Sequence, residues 1–193
     1  MEVSGIQMLK LEPVSVENAA DESKEALQSI AEKNGFVPNL FGTFAHTPAA
    51  LNGYIGMQNA YEMSSLSAAE KYAVLLVVSV ANGGEYCVPA HSTLAAREGI
   101  DQSLVTRLRA GQLPDDIRLA ALVNFTLRIV RNHGRVDRKD VDHFLRAGFS
   151  EVHIMDVILG VAMKTMSNYT NHIFDIDVDP AFQGKSRKQK SAA

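Results

Sequence analysis

The segment from Ala68 to Asn82 constrains the fold more than any other part of the sequence. It is apolar along almost its whole length, and its β-branched residues would also suit a buried strand. Ser67 and Glu70, however, have the spacing of a capping box, in which the two side chains bond the free amides at a helix start. The box and the length of the segment predict a buried helix that ends at Gly83 and Gly84.

The rest of the chain repeats this pattern of apolar segments at helical spacing, separated by glycine, proline or capping residues. No alternating apolar and polar run bounded by hairpin turns occurs, as a half-exposed strand would require. The sequence therefore predicts an all-α fold of about eight or nine helices. The predicted helices cover about 23–33, 40–45, 48–61, 68–82, 89–98, 116–133, 137–147 and 151–167, with a short one opening at Asp101 and residues 168–174 following the last.

We divide the chain into an N-terminal arm, residues 1–20, one helical domain, residues 21–182, and a basic, disordered tail, residues 183–193. The domain contains a weak internal echo. Glu70 precedes His91 by 21 residues, and Glu151 precedes His172 by the same number. The echo aligns Cys87 with Asn168, which is typical of two similar helical halves.

Composition excludes several classes of protein. Of the 193 residues, 46% are hydrophobic and 21% charged, which is typical of a globular domain, and one cysteine rules out a disulfide framework. A net charge of −3 predicts no attraction to nucleic acid or to a membrane surface. The longest apolar run, Ala73 to Ala81 with a break at Ser79, is about half of the roughly 20 residues that a membrane span needs. The first residues do not read as a signal peptide, and a lone thiol suits a reducing compartment, so we expect a cytoplasmic protein.

The chemistry of the sequence is concentrated at Cys87 and His91. Because Pro89 fits only the first turn of a helix, a helix should begin close to Cys87 or Val88. The sulfur would then lie among unpaired backbone amides, which favour the nucleophilic thiolate, and His91 would follow one turn later as a base. The alternative interpretation is an inert core cysteine beside a polar neighbour. Two visible ligands are too few for a closed zinc site, so we predict no metal.

The run from Leu66 to Ser92 resembles the core of the carboxymuconolactone decarboxylase/alkylhydroperoxidase D (AhpD-like) superfamily. Residues 35–49 and 148–179 resemble its longer, peroxidase-related members, so that the resemblance covers roughly residues 20 to 182, with its core motif at 66–100. It implies an all-helical, cofactor-free protein that assembles as a homo-oligomer, commonly a trimer or hexamer. In the redox branch of the superfamily, a glutamate, a Cys-x-x-Cys pair and a histidine reduce hydroperoxides.

Carried over to this chain, the resemblance makes Cys87 the attacking cysteine and His91 the relay histidine. The chain departs from the pattern at two positions. Gly84 replaces the first cysteine, so a sulfenic acid on Cys87 needs an external thiol or the Cys87 of a neighbouring subunit. Tyr72 replaces the relay glutamate, and Glu70, two residues earlier, lies about 200° away around the helix. Tyr72 and Glu70 are the candidate accessory groups.

The leading hypothesis is an AhpD-like thiol-dependent oxidoreductase with peroxiredoxin-type activity, which reduces hydroperoxides through Cys87. The first alternative is a carboxymuconolactone decarboxylase-like lyase that acts on a small carboxylated lactone, with Arg97 as the nearest candidate to bind a carboxylate near His91. The second is a non-catalytic helical oligomer. His172, which echoes His91, is a candidate to reach the same region.

Overall fold

The computed structural model describes residues 9–183. Over this range the chain forms nine α-helices and no strand, which confirms the predicted all-α class. In chain order the helices are α1 (Asp21–Asn34), α2 (Asn39–Phe44), α3 (Pro48–Glu62), α4 (Ala68–Ala81), α5 (Cys87–Arg97), α6 (Gln102–Arg109), α7 (Ile117–Arg131), α8 (Arg138–Arg146) and α9 (Glu151–Phe174). Most of the predicted basic tail, residues 184–193, lies outside the described residues.

Helix α4 is the centre of the fold. Residues 73–79 are all buried, and the helix packs against α5, α6, α7 and α9. The predicted capping box is confirmed: Glu70 N–H donates to Ser67 Oγ at 3.3 Å, and Ser67 N–H donates to the Glu70 carboxylate at 2.8 Å. Since a buried aliphatic side chain contributes about 1.5–3 kcal/mol, this run of buried residues is a major source of stability.

The other helix ends follow the local signals of the sequence. Pro48 is the first residue of α3, as predicted, and Asp116 caps α7 by accepting from Leu119 N–H at 2.8 Å. Gly35 ends α1 with a φ of +82°, a conformation that glycine adopts without strain. The last helix is longer than expected, because α9 continues without a break from Glu151 to Phe174.

Helix α9 connects the two sides of the domain, packing on α3, α4 and α7. Its inward face carries buried polar residues among apolar ones: Lys164, Ser167, Asn168 and Asn171. The chain reverses at Asp175, which has a φ of +46°, and residues 175–183 form a C-terminal strap that returns to α5. On this strap, the Phe182 ring lies 5.7 Å from that of Phe36 and 6.2 Å from that of Tyr86.

The described part of the N-terminal arm also lies against the domain. Leu9 N–H donates to Ile173 O at 2.9 Å, and Val14 N–H donates to Gly42 O at 3.2 Å. Among the described helices, none has the length and apolarity to cross a membrane. Residues 9–183 also hold no group of three or more His, Cys, Asp and Glu side chains positioned for a metal ion.

Candidate active site

Helix α5 begins at Cys87, as the position of Pro89 predicts, and Cys87 is only 1% exposed. The backbone around the sulfur is less electropositive than expected. Val88 N–H donates to Gly84 O at 3.0 Å, Tyr86 N–H donates to the Asn171 side chain at 3.4 Å, and Pro89 has no N–H. The prediction that unpaired amides surround the thiol is therefore wrong for most of this turn, and another group supplies the positive charge beside the sulfur.

That group is the ammonium of Lys164 on α9. Lys164 is 0% exposed, its Nζ atom donates to Ser167 Oγ at 2.8 Å, and the same oxygen lies 3.7 Å from Cys87 Sγ. No carboxylate of the described residues pairs with Lys164; its ionisable neighbours are Cys87, Tyr54 and His91. A buried ammonium without a counter-charge is strongly unfavourable, so this cluster is suited to hold an anion beside it.

The titration of Lys164 is set by the same neighbours. Burial lowers the pKa of Lys164, but Cys87 and Tyr54 raise it, and the resulting pKa lies above the usual value of 10.5. Burial also raises the pKa of the Tyr54 phenol. Lys164 is therefore protonated and Tyr54 neutral at pH 7, so the cluster carries a buried positive charge.

His91 lies one turn after Cys87 and is neutral. Its Nδ1 atom is buried and has no hydrogen-bond partner among the described residues. Burial, and to a lesser extent Lys164, lowers the pKa of His91 well below its usual value of 6.5. A neutral imidazole with an unpaired nitrogen is suited to accept or relay a proton from a bound molecule.

Cys87 lines a cavity of about 270 Å³, which we name the Cys87 cavity. Its walls come from α1, α2, α3, α5, α9 and the strap, and many of the side chains are apolar: Ile30, Leu40, Phe41, Ile55, Leu94 and Phe182. Tyr54, His91 and Lys164 supply polar groups. Exposed residues at its edge, among them Lys33, Asn34 and Asn59, place the mouth between α1 and α3.

A second cavity of about 440 Å³, the Arg97 cavity, lies directly beside the first. Both cavities are lined by Tyr54 and His91, so these two side chains stand at their boundary. The walls specific to the Arg97 cavity carry most of its charged side chains: Glu62, Lys71, Arg97 and Glu98. The structure thus places an apolar, thiol-bearing cavity next to a charged one.

The two accessory candidates occupy different places. Tyr72 lines the Arg97 cavity, and burial, with Glu98 and Glu62, raises its pKa to about 12, so it is a hydrogen-bond donor rather than a base. Glu70 lines neither cavity: its carboxylate accepts from Arg118 Nε at 2.7 Å and from the capping box. Burial raises the pKa of Glu70, but the bonds from Ser67 and Arg118 lower it below 4.5. The structure does not bring Glu70 to Cys87.

Gly84, at the position of the first cysteine of the redox motif, has no room for a side chain. A Cβ atom there would overlap Asn168 Nδ2 and lie 3.1 Å from Asn168 Cγ. Asn168 is held in place by Asn82, whose Nδ2 atom donates to Asn168 Oδ1 at 3.1 Å. The asparagine of α9 therefore fills the space of the missing side chain.

His172 reaches the same loop but not the cavities. Its Nε2 atom lies 3.2 Å from Gly83 O, four residues before Cys87. In the weak sequence echo, Asn168 aligns with Cys87 and His172 with His91. In the structure, Asn168 and His172 both contact the loop before α5.

Sequence reasoning missed Lys164, Ser167 and Tyr54. A signal for Lys164 was present, since it is a single lysine within the otherwise apolar or small sequence from Val157 to Met166. Its meaning depends on the crossing of α9 and α5, which local sequence does not specify.

The fold and site define a class of all-helical protein in which a buried cysteine at a helix start faces an internal cavity. Residues 45–127 match the carboxymuconolactone decarboxylase family. The matched residues include Cys87 and His91, so the part of the chain that carries the candidate site is similar to this family. No curated protein sequence matches the chain.

Three solved structures show the same fold. An uncharacterized peroxidase-related protein from Silicibacter sp. TM1040 is 22% identical with a TM-score of 0.80, over 95% of this chain and 98% of its own. An AhpD-core, peroxidase-related protein from Ralstonia eutropha JMP134 is 20% identical with a TM-score of 0.81, over 92% and 96%. The debrominase Bmp8 in complex with 2,3,4-tribromopyrrole is 19% identical with a TM-score of 0.77, over 92% and 96%.

Proposed function

We propose that this protein is a thiol-dependent oxidoreductase that reduces organic hydroperoxides through Cys87. The observation that carries the proposal is the buried cluster of Cys87, Ser167 and Lys164 on the wall of an internal cavity. A thiolate is the nucleophilic form of cysteine, and the ammonium supplies both its counter-charge and a proton. The superfamily includes peroxidase-related proteins of the same fold, which agrees with this chemistry.

In the first step, the Cys87 thiolate attacks the terminal oxygen of the hydroperoxide. The S–O bond forms as the O–O bond breaks, and Lys164 gives a proton to the leaving alkoxide. Neutral His91, which lines the cavity, holds the hydroperoxide by accepting its O–H hydrogen bond. The products are an alcohol and a sulfenic acid on Cys87.

In the second stage, two external thiols restore Cys87. The first condenses with the sulfenic acid to form a mixed disulfide and water. The second attacks this disulfide, releases the external disulfide and the Cys87 thiolate, and returns a proton to Lys164. The sum is one hydroperoxide and two thiols converted to one alcohol, one water and one disulfide.

The apolar walls of the Cys87 cavity favour a substrate with an organic body over hydrogen peroxide. Treatment with cumene hydroperoxide or hydrogen peroxide, followed by a dimedone-based probe and peptide mass spectrometry, tests both points. We expect labelling at Cys87 that is faster with cumene hydroperoxide, and none in Cys87→Ser. Absence of labelling with either oxidant contradicts the proposal.

The same assay should include a brominated pyrrole as a third compound beside the two hydroperoxides. The reason is that one structural neighbour is a debrominase whose structure was solved with 2,3,4-tribromopyrrole. Bromide release that requires Cys87, with no sulfenic acid from either hydroperoxide, would assign a halogenated ring as the electrophile in place of the peroxide.

A carboxy-lyase is the second candidate, and the Arg97 cavity favours it. His91 and Arg97 line this cavity, whereas Cys87 does not. A carboxylated lactone bound there would have a cation for its carboxylate and an imidazole for proton transfer. Loss of a carboxylated lactone monitored by absorbance, unchanged in Cys87→Ser and abolished in His91→Asn, would support this candidate over the first.

We also propose that the protein self-associates through α9. We further propose that it is located in the cytoplasm, where the environment is reducing. Along α9, apolar side chains at spacings of three, four or eleven residues are exposed: Val152, Met155, Ile158, Tyr169 and Ile173. Exposed apolar residues along one helix are typical of interfaces. Light scattering after size exclusion should show an oligomer that Met155→Glu dissociates, whereas Met63→Glu, at an exposed residue outside α9, leaves it intact.

A further inference from the structure

We infer that the Arg97 cavity is the binding site of the reductant, and that the reductant is a small thiol bearing a carboxylate. This inference rests on the proposed function of Cys87. The Arg97 cavity would then bind the molecule that converts oxidised Cys87 back to its thiol.

The burial of Cys87 limits the size of the reductant. The residue is 1% exposed, and its cavity of about 270 Å³ opens between α1 and α3. A cysteine on the surface of another protein would have to reach through this mouth to the sulfur, which disfavours a protein as the direct reductant. The Cys87 of a second copy is buried in the same way, which argues against a disulfide between subunits.

An internal resolving thiol is also absent from the chain. Cys87 is its one cysteine, and Asn168 fills the space beside Gly84. The reducing sulfur must therefore arrive on a molecule small enough to enter the Cys87 cavity, through its mouth or from the adjoining Arg97 cavity.

The charges of the Arg97 cavity indicate what else this molecule carries. Lys33, Lys71 and Arg97 line the cavity, and none of them lies within 4 Å of a carboxylate of the described residues. Lys71 instead donates to the backbone carbonyl of Glu62. Three cations against the two carboxylates of Glu62 and Glu98 give the cavity a net positive charge, which attracts an anionic group.

His91 connects this charge to the chemistry. It lines both cavities, and its buried Nδ1 atom has no partner among the described residues. A thiol whose carboxylate is held near Arg97 would pass its sulfur along His91, where the neutral imidazole accepts the S–H proton. The resulting thiolate attacks the sulfur of the Cys87 sulfenic acid, the S–OH bond breaks, and the proton from His91 leaves with the hydroxide as water.

The experiment compares three thiols of similar size on the full-length protein. Cys87 is first converted to the sulfenic acid with cumene hydroperoxide, and its loss is followed by mass spectrometry with 3-mercaptopropionate, 2-mercaptoethanol or 2-aminoethanethiol. Each rate constant for loss of the sulfenic acid is divided by the fraction of the thiol that is ionised. We expect 3-mercaptopropionate, which is anionic, to react three- to tenfold faster than the neutral 2-mercaptoethanol. The cationic 2-aminoethanethiol should react slowest. Reduced thioredoxin should be slower than all three.

Arg97→Gln and Lys71→Gln should each lower the ratio of the 3-mercaptopropionate rate to the 2-mercaptoethanol rate, which we call the advantage of 3-mercaptopropionate, at least twofold. Lys139→Gln, an exposed lysine of α8 outside both cavities, is the control of equal charge change and should leave the advantage unaltered. Equal rates for the three thiols, an advantage that survives both cavity variants, or fastest reduction by thioredoxin overturns the inference.

A second readout does not require a sulfenic acid and so separates this inference from the proposed function. Alkylation of reduced Cys87 by iodoacetate and by iodoacetamide is compared with that of free N-acetylcysteine. The ratio of the iodoacetate rate to the iodoacetamide rate should be several-fold higher in the protein than in N-acetylcysteine, and Arg97→Gln should reduce this difference at least twofold. If no sulfenic acid forms but a preference that depends on Arg97 is found, the hydroperoxide function fails while the anion site stands. Without a preference, or with one that Arg97→Gln leaves unchanged, the site itself is wrong.

Discussion

Lys164 donates a hydrogen bond of 2.8 Å to Ser167, one turn later on the same helix, and the pair faces the first residue of α5. The serine oxygen lies between the ammonium and the Cys87 sulfur. The arrangement supplies a fixed positive charge from the interior of the protein, where water does not screen it.

Replacement of Lys164 by methionine should slow the reaction of Cys87 with iodoacetamide at pH 7 by about tenfold, which corresponds to about 1.4 kcal/mol of lost thiolate stabilisation. Methionine keeps the length and apolar stem of the side chain and removes its charge. Lys139→Met, at an exposed lysine, is the matched control. An unchanged alkylation rate in Lys164→Met would show that the ammonium does not act on the sulfur.

Replacement of Cys87 by alanine should destabilise the protein more than Lys164→Met does, because it leaves a buried ammonium without its counter-charge. Loss of one member of a buried ion pair costs about 3–5 kcal/mol, whereas loss of both is often nearly neutral. Urea denaturation of the single variants and of the Cys87→Ala/Lys164→Met double variant measures the coupling. Additive effects would mean that Cys87 is a neutral thiol in the folded protein.

Acidification below pH 6.5 should weaken the wild-type protein in a way that depends on His91. Because its pKa is lower in the folded than in the unfolded protein, the unfolded state binds the proton first as the pH falls. The free energy of unfolding then decreases by up to about 1.4 kcal/mol per pH unit between the unfolded and folded pKa values. Urea denaturation between pH 7 and 5 measures this decrease in the free energy of unfolding. The His91→Asn variant should lack the part of the decrease that comes from His91, while His143→Asn, at an exposed histidine, should retain it.

The C-terminal strap depends on a buried hydrogen bond from Tyr86 to Asp179, 2.6 Å long. Tyr86→Phe removes this donor from a carboxylate that also accepts from Asn39 N–H at 3.2 Å. A hydrogen bond to a charged group contributes about 1.5–3 kcal/mol, so we expect a loss of that size in urea denaturation. Tyr169→Phe, which alters an exposed tyrosine, should have little effect, and an equal loss in both variants would contradict the role of the bond.

Introduction of a cysteine at Gly84 should destabilise the protein by about 1–3 kcal/mol, because the new side chain overlaps that of Asn168. The Gly84→Cys/Asn168→Ala double variant should be more stable than the sum of the single effects implies. A double-mutant cycle in urea, under reducing conditions, measures this coupling. Additivity would indicate that the loop moves away from α9 instead.

The sequence was sufficient to predict most of the fold, because the capping box at Ser67, the proline at position 48 and the glycine at position 35 act locally. It also placed Cys87 at a helix start. It did not predict that Arg118 holds Glu70, or that Lys164 lies beside the sulfur. Both depend on which helices cross, and residues such as Lys164 and Cys87 are 77 positions apart in the chain.

The contact between Asn168 and Gly84 couples two positions that lie 84 residues apart in the chain. A side chain at residue 84 fits without strain only when residue 168 is smaller than asparagine. A cysteine pair in the loop before α5 therefore calls for two matched substitutions, one on each side of this contact.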